Sequence, residues 1–339
     1  MSKNTVTITN IADDLMISAS TVSCVLRGDA KKFRIAKSTE KKILDAAKRL
    51  GYVPNLSARN LRALKSNCIS VLFSDLELSW ADTVLKGVES ITNTEGYGIF
   101  IAVDRRDPET FIREINTILQ RRDEAVICHS HSIVIEGVEK LREAVPLVFV
   151  SDLPESLVGV DELNSVLWDG SNGIEKAIKH FASTGRKRVS FMGCRHGFVS
   201  DMRRFRAFEA SLKLAGLEYC DELCVWMSDN IITTDVVIDK LFADRRKSPD
   251  AIFALNDSIA IRIMKSLKKM GLRVPDDVAV IGVGDLPMSE FIGLTTIIEP
   301  LEELGEKAAE VAIELIKNGN KGNLECLVDS AELALRTSA

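Results

Sequence analysis

The stretch Ile8–Arg27, ITNIADDLMISASTVSCVLR, decides how the start of this 339-residue chain folds. Apolar residues recur in it at helical spacing, first Ile8, Ile11, Ala12 and Leu15 and then Val22, Val25 and Leu26. This spacing predicts two short helices that pack their apolar faces together. Ser18 precedes the second helix as an N-cap residue. Two short helices joined by a tight turn are typical of a helix-turn-helix unit.

In such a unit the second helix presents its exposed first turns to the major groove of DNA. The candidate contacts on that helix are Ala19, Ser20, Thr21, Ser23 and Cys24. We add Thr7 and Thr9, which lie at the start of the first helix. Because any small amphipathic helix pair has this pattern, the interpretation depends on the sequence that follows.

The charge of the chain is divided unevenly. Up to Ser66 there are thirteen Lys and Arg against five Asp and Glu, a net charge of +8. The rest of the chain carries 31 Lys and Arg against 44 Asp and Glu, a net charge of -13. A basic head on an acidic body indicates that only the head contacts a polyanion, although a merely solvated basic surface has the same composition.

The pattern predicts three parts. Residues 1–53 form a helix-turn-helix DNA-binding domain, whose third helix ends at Gly51. Residues 54–66 form a hinge in which Pro54 interrupts the backbone. The segment after the proline is either a helix too short to be stable alone, and so ordered only on binding, or a plain linker. Residues 67–339 form an α/β body.

In the body, short β-rich runs alternate with amphipathic helices. The predicted strands are Ile69–Phe73, Gly98–Val103, Ala125–Cys128, Leu147–Ser151, Val189–Met192, Ala251–Ala254 and Val278–Val283. The predicted helices are Trp80–Thr94, Glu109–Arg121, Ile174–Thr184, Arg204–Leu214, Ile259–Met270 and Leu301–Lys317. This alternation predicts two doubly wound parallel sheets, in two subdomains with a cleft between them. We place the first subdomain at about 67–166 and 298–322, and the second at about 167–297 and 323–339.

Cysteine and histidine usage gives little support for a metal site, a cofactor or an enzyme. Seven cysteines without framework spacing indicate reduced thiols in a cytoplasmic protein. Cys128-His129-Ser130-His131 follows an apolar run and is interpreted as a strand end rather than a metal site. We find no Gly-rich phosphate loop, nucleophile elbow or His-containing triad spacing, so no catalytic residue is predicted. The polar start of the chain and the lack of a long apolar run also favour the cytoplasm.

Several motifs follow one another in an order that resembles the lactose-repressor/galactose-repressor family of bacterial transcriptional regulators. In the head they are Thr21-Val22-Ser23-Cys24-Val25-Leu26, Leu50-Gly51-Tyr52-Val53-Pro54-Asn55, and Ala58 to Leu61. In the body they are Gly185 to Val189, Asn256-Asp257, Pro275 to Gly282, Leu294 to Ile297, and Leu304-Gly305. The resemblance covers essentially the whole chain.

The resemblance implies a ligand-responsive, sequence-specific DNA-binding regulator, a repressor of carbohydrate uptake or catabolism genes. It implies a homodimer in which each head reads one half-site of a pseudo-palindromic operator. Asn55 and Ala58 would lie in the hinge, and Leu61 would insert between base pairs in the minor groove, unless it only packs within the hinge. The body, residues 67–339, would dimerise and would bind a small effector, a sugar or sugar derivative, in a fold like that of periplasmic binding proteins.

The candidate effector contacts follow from matching positions in the family. They are Trp80, Ser151, Trp168, Arg204, Asn256, Asp285 and Glu299. An arginine fork binds hydroxyls or a carboxylate, and a tryptophan ring stacks on a sugar or a base. Several of these residues have a second interpretation: Arg204 as a surface ion pair, the tryptophans as core or dimer packing, and Asn256 as a helix cap.

The sequence departs from the family at positions that decide specificity. Cys24 stands where many members have an arginine that contacts guanine, Met16 stands in the turn where glycine is usual, and Ala36 replaces a serine cap. Gly284 lacks an acidic side chain that often holds ligand hydroxyls. The operator, the effector, the direction of the response and a dimer or tetramer are therefore left open. The alternatives are a sugar- or nucleobase-binding protein whose head does not act on an operator, and a purine-type regulator that depends on a co-repressor.

Overall fold

The computed structural model describes residues 6–53, 66–76, 79–160, 163–195, 197–227, 231–319, 324–329 and 331–339. The chain divides into two compact units, residues 1–65 and 66–339, which we call the head and the body. None of the helices within the described ranges is both long and apolar enough to cross a membrane.

The described part of the head contains three helices, α1 (Ile8–Leu15), α2 (Ala19–Leu26) and α3 (Lys37–Leu50). Ile11, Val22 and Ile43, one from each helix, are fully buried against one another in a small core. The hydroxyl of Ser18 accepts a hydrogen bond from the backbone N–H of Thr21 and caps α2, as predicted. The head is therefore the three-helix unit that the apolar spacing predicts.

The turn between α1 and α2 holds a strained residue. Met16 ends α1 with a φ of 54°, in the left-handed region that favours glycine. Its side chain is 93% exposed, so it adds no packing within the head to offset this strain. Ala36 precedes α3 and makes no side-chain capping bond. Both departures noted in the sequence thus have a local energetic cost.

The body alternates strands and helices. Its strands are β1 (Cys68–Phe73), β2 (Gly98–Val103), β3 (Ala125–His129), β4 (Leu147–Ser151), β5 (Asn164–Trp168), β6 (Val189–Cys194), β7 (Cys224–Met227), β8 (Ala251–Ala254), β9 (Ala279–Val283), β10 (Thr295–Ile298), β11 (Glu325–Val328) and β12 (Glu332–Ala334). Its helices are α4 (Ser79–Thr94), α5 (Pro108–Arg121), α6 (Ile135–Ala144), α7 (Ser171–Ser183), α8 (Val199–Leu214), α9 (Ile231–Leu241), α10 (Asp257–Lys269), α11 (Pro287–Phe291) and α12 (Leu301–Asn318). Every predicted strand and helix is present, and β5, β7, β10, β11, β12, α6, α9 and α11 are additional.

Within the described residues the strands form two six-stranded sheets, each the centre of one lobe of the body. The first lobe has the order β11-β5-β4-β3-β1-β2 and is parallel throughout. The second lobe has the order β12-β10-β9-β8-β6-β7, in which β12 runs antiparallel to β10 and the other pairs are parallel. One expected boundary is corrected: residues 323–339 do not all belong to the second lobe, because β11 pairs with β5 of the first.

Helix α12 returns the chain from the second lobe to the first and packs closely along α4. A Cβ atom built on Gly305 would overlap the carbonyl oxygen of Val84, and one built on Gly87 would overlap the carbonyl oxygen of Glu302. The two helix backbones therefore touch, which only glycine at these positions allows. This contact fixes the start of α12 and, with it, the crossing segment that contains Glu299.

Candidate functional site

The exposed surface of α2 is built from short side chains. Ala19 and Ser20 are exposed, and Thr21 and Ser23 are half-buried. The hydroxyls of Ser20 and Thr21 each lie 2.8 Å from the hydroxyl of Ser18. This surface therefore consists of small, mostly polar groups, and all but one of the predicted contact residues of α2 are at least partly accessible on it.

That position is Cys24, whose side chain is 6% exposed. The guanidinium of Arg27 lies against it, with Nη2 3.7 Å from the sulfur, which contributes to its burial. The prediction that Cys24 faces the major groove is therefore corrected, because a buried thiol does not present itself to a base edge.

The other predicted head residues are distributed as follows. Thr7 caps α1 in a reciprocal pair with Asn10, and Thr9 is exposed on the first turn of that helix. Asn55, Ala58 and Leu61, the candidates in the hinge, lie outside the described residues and remain predictions. The same holds for almost all of the predicted hinge segment, 54–66.

A cavity of about 180 Å³ lies in the body where the strand ends of the two lobes face each other. Ligands of open α/β sheets bind at the carboxyl ends of the strands, which is where this cavity lies. Its wall consists of Phe73, Ser74, Asp75, Trp80, Ala81, Arg106, His129, His131, Ser151, Asp152, Phe198, Ser200, Asp201, Arg204, Leu255, Asn256 and Glu299. Five of the seven predicted effector contacts belong to this wall: Trp80, Ser151, Arg204, Asn256 and Glu299.

A chain of polar contacts joins the lobes across the cavity. Ser151, at the end of β4, donates a hydrogen bond of 2.7 Å to Oε1 of Glu299. The guanidinium of Arg204, on α8, lies 3.5 Å from the other oxygen of Glu299 and donates to the carbonyl of Leu255 at 3.2 Å. The side chains of Arg204 and Glu299 are only 16% and 6% exposed, so this is a buried pair rather than a surface ion pair.

Asp152 is the second buried carboxyl group of the wall. It accepts hydrogen bonds from the backbone N–H of Leu153 at 2.8 Å and of Ser200 at 3.1 Å, and from the hydroxyl of Ser200. Burial raises the pKa of Asp152 to about 6, against the lowering effect of these bonds and of Arg204. This carboxyl therefore titrates within a mildly acidic range.

Three rings form a stack on one side of the cavity. The His129 ring lies between Trp80, at 4.3 Å between centroids, and Phe198, at 4.9 Å. His131 meets the edge of Phe198 at 4.7 Å. Phe198 immediately precedes α8 and the other rings come from the first lobe, so the stack, like the polar chain, spans both lobes.

Two predicted effector contacts lie outside the cavity wall. Trp168 is 3% exposed in the core, and the guanidinium of Arg204 lies 5.2 Å above its ring. Trp168 therefore packs against the wall residue Arg204 without lining the cavity itself. Asp285 pairs with Arg336 at 2.7 Å, away from the cavity. Asn256 caps α10 through the N–H of Ile259 and also lines the cavity, so its predicted contact with an effector stays a prediction that the cap does not oppose.

Sequence reasoning missed Asp75, Arg106, His129, His131, Phe198 and Asp201 as wall residues. Three of them could have been found from their position at the carboxyl end of a parallel strand. Asp75 follows β1, His129 ends β3, and His131 lies two residues after it. Cys128, in the same run, points away into a separate apolar core. Among the described residues no cluster of His, Cys, Asp and Glu is arranged to hold a metal ion.

Comparisons with known proteins match both parts of the chain. Residues 178–339 match the protein family described as periplasmic binding protein-like domain. Catabolite control protein A of Priestia megaterium is 26% identical over 324 residues, 94% of each chain. HTH-type transcriptional repressor PurR of Aliivibrio fischeri (strain ATCC 700601 / ES114) is 26% identical over 317 residues, 92% of each chain.

Among solved structures, the lac repressor dimer bound to operator and the anti-inducer ONPF aligns with a TM-score of 0.82. Its sequence identity is 21% over 99% of both chains, which shows a shared fold. The two curated relatives are transcriptional regulators and not enzymes, and they align with this chain over head and body alike. With the ordered motifs and the two-lobed body, these findings make the chain similar, over more than nine tenths of its length, to the lactose-repressor family of bacterial transcriptional regulators.

Proposed function

We propose that this chain is a ligand-responsive, sequence-specific repressor that binds operator DNA as a homodimer. The observation that carries this proposal is the combination, in one chain, of a cationic helix-turn-helix head and a body with a small cavity between two lobes, lined by polar and aromatic side chains. An effector bound in the cavity changes the affinity for DNA only by its different affinity for two arrangements of the body. Catalysis has no part in this function.

The head supplies charge for binding to DNA. Lys31, Lys32 and Arg34 are exposed in the loop between α2 and α3. Contacts of such side chains with phosphates give affinity without sequence preference, and they make binding sensitive to salt. The short side chains of α2 allow its first turns to approach a groove closely.

The cavity favours a small neutral ligand with several hydroxyl groups. Its volume of about 180 Å³ is below the roughly 300–1,000 Å³ of sites for drug-sized ligands, which indicates a ligand of about one ring. Both arginines of the wall already face a carboxylate, Arg204 beside Glu299 and Arg106 beside Asp75. An anionic ligand would therefore gain little attraction from them. Buried Asp152 accepts hydrogen bonds from hydroxyl groups. A monosaccharide fits these properties better than a sugar phosphate.

A nucleobase is the second candidate effector. The observation that favours it is the stack of Trp80, His129 and Phe198, because a planar ring stacks on such a surface as well as a sugar does. The amide of Asn256 supplies a further hydrogen-bonding group in the same cavity.

The DNA part of the proposal is tested by selection from a randomised duplex library with the full-length protein. We expect a pseudo-palindromic consensus, bound with an affinity that falls steeply as salt rises. Replacing Lys31 and Lys32 with glutamine should weaken binding to every duplex and reduce the salt dependence. Recovery of no consensus, with equal binding to all duplexes, would contradict sequence-specific regulation.

The effector part is tested by thermal unfolding of the full-length protein with monosaccharides, their phosphates and nucleobases. A ligand that binds the native state raises the melting temperature in a concentration-dependent way. Arg204→Ala should abolish the rise, whereas Arg206→Ala, on the exposed side of the same helix, should keep it. A ligand whose effect survives Arg204→Ala binds elsewhere.

A further inference from the structure

The exposed side of α2 carries one long cationic side chain, and it belongs to the residue that ends the helix. Within Ala19–Arg27, Arg27 is the only side chain longer than a leucine. It does not extend away from the helix but runs back along it, toward the turns that face a groove in a helix-turn-helix unit. Its guanidinium thus lies beside Ser23 and over the buried Cys24.

Three contacts hold this guanidinium in place. Its Nη1 donates to the hydroxyl of Ser23 at 3.1 Å, and its Nε donates to a carboxylate oxygen of Asp29 at 3.2 Å. Its Nη2 lies 3.7 Å from the sulfur of Cys24. The Arg27 side chain is 40% exposed, so the group is fixed but still accessible.

A guanidinium has five N–H donors, and these contacts use three of them. Two N–H groups remain, and guanine accepts two hydrogen bonds in the major groove, one at O6 and one at N7. We propose that Arg27 is a specificity-determining residue that reads a guanine in each half-site of the operator. This inference rests on the proposed function of the chain as a DNA-binding regulator.

The carboxylate of Asp29 favours a base edge over a phosphate as the partner of Arg27. A phosphate placed on this guanidinium would approach the carboxylate, and like charges repel, whereas the edge of a guanine is neutral. Phosphate contacts are already available to Lys31, Lys32 and Arg34, which are exposed and form no ion pair with another described residue of the head. Asp29 also holds Arg27 in one rotamer, so less conformational entropy is lost on binding.

The test is selection from a randomised duplex library by the full-length wild-type protein, Arg27→Lys and Lys32→Gln. The lysine variant keeps the positive charge at the end of α2 but lacks the planar fork. We expect it to lose the preference for one G·C pair in each half-site, by about 10- to 100-fold, with the rest of the consensus unchanged. Lys32→Gln is the matched control, which should weaken binding to all sequences and leave the consensus intact.

A uniform loss of affinity in Arg27→Lys, with an unchanged consensus and a smaller salt dependence, would overturn the inference and make Arg27 a phosphate contact. Asp29→Asn provides a second variant that keeps Arg27 itself; it should reduce discrimination at the same base pair without lowering affinity for unrelated duplexes. Thermal unfolding of each variant identifies a loss that comes from an unfolded head. If the wild-type protein selects no sequence at all, the proposed function fails and this inference fails with it.

Discussion

The candidate functional side chains of the head are largely exposed, whereas those of the body are largely buried. In the head, exposed or half-exposed groups such as Ser20 and Arg27 come from a single stretch of twenty residues. In the body, Arg204 and Glu299 are 95 positions apart in sequence, and their side chains are 16% and 6% exposed. A surface residue of the head can therefore be changed with little effect on folding, whereas a cavity residue of the body affects both stability and binding.

The largest effect should come from the helix contact behind the cavity. Gly305→Ala forces a methyl group into the backbone of α4 and should lower the free energy of unfolding of the body by about 3 kcal/mol, the upper end of the usual cost of overpacking. Calorimetry or thermal circular dichroism measures this. Gly98→Ala is the control, because its Cβ has no neighbour closer than 3.8 Å. Equal stability of the two variants would show that α4 and α12 separate easily.

The pH dependence of the body should reveal Asp152. Its pKa is raised to about 6 in the folded state from 3.8 when unfolded, so the unfolded chain releases this proton first as pH rises. The contribution of Asp152 to the free energy of unfolding is therefore largest below pH 4 and falls by about 2 to 3 kcal/mol as the pH rises to 6. Asp152→Asn removes this contribution. The difference between the free energies of unfolding of the wild type and the variant therefore separates Asp152 from the other carboxyl groups. Parallel curves between pH 4 and pH 7 would contradict the assignment.

The buried pair across the lobes should show coupling. Arg204→Ala leaves the Glu299 carboxylate without its cation and should destabilise the body by about 2 kcal/mol. Glu299→Gln added to this variant should recover part of the loss, because the neutral amide costs less to bury. A double-mutant cycle by denaturant unfolding measures the coupling. Strict additivity would show that the pair contributes nothing as a pair.

The smallest predicted change is a stabilisation, and it concerns the head. Met16→Gly relieves the strain of a left-handed residue and should stabilise the head by about 0.5 to 1 kcal/mol, after the larger entropy of glycine in the unfolded chain is counted. Met16→Ala keeps the strain and serves as the control. The melting of the body should not change. A destabilised Met16→Gly head would mean that the methionine side chain makes contacts that its exposure does not suggest.

Local patterns in the sequence predict most of the fold. Apolar spacing and the Ser18 cap place α1 and α2, and alternation of strands and helices places the two sheets. The short strands β7, β11 and β12 escape prediction because each has only three or four residues and is only partly buried, whereas the equally short β8 is apolar and buried throughout. The lobe to which β11 belongs depends on its pairing with β5, a contact across more than 150 residues.

The site is less predictable than the fold, for two physical reasons. His129 and Phe198 meet only because distant strand and helix ends converge, and nothing local in either segment indicates the other. Cys24 is buried in part because Arg27 folds over it, so its exposure depends on the rotamer of a neighbour rather than on helix periodicity. Position after a parallel strand is the one local signal that finds wall residues such as Asp75.

The chain path between the lobes has a mechanical consequence. The backbone connects them after β5, after β10 and after β11, so neither lobe is a continuous piece of sequence. A protease that cuts one connection leaves the halves tethered by the other two, and truncation from either end cannot release one lobe intact. Opening of the cavity must bend all three connections together, which permits rotation of the lobes but prevents their separation.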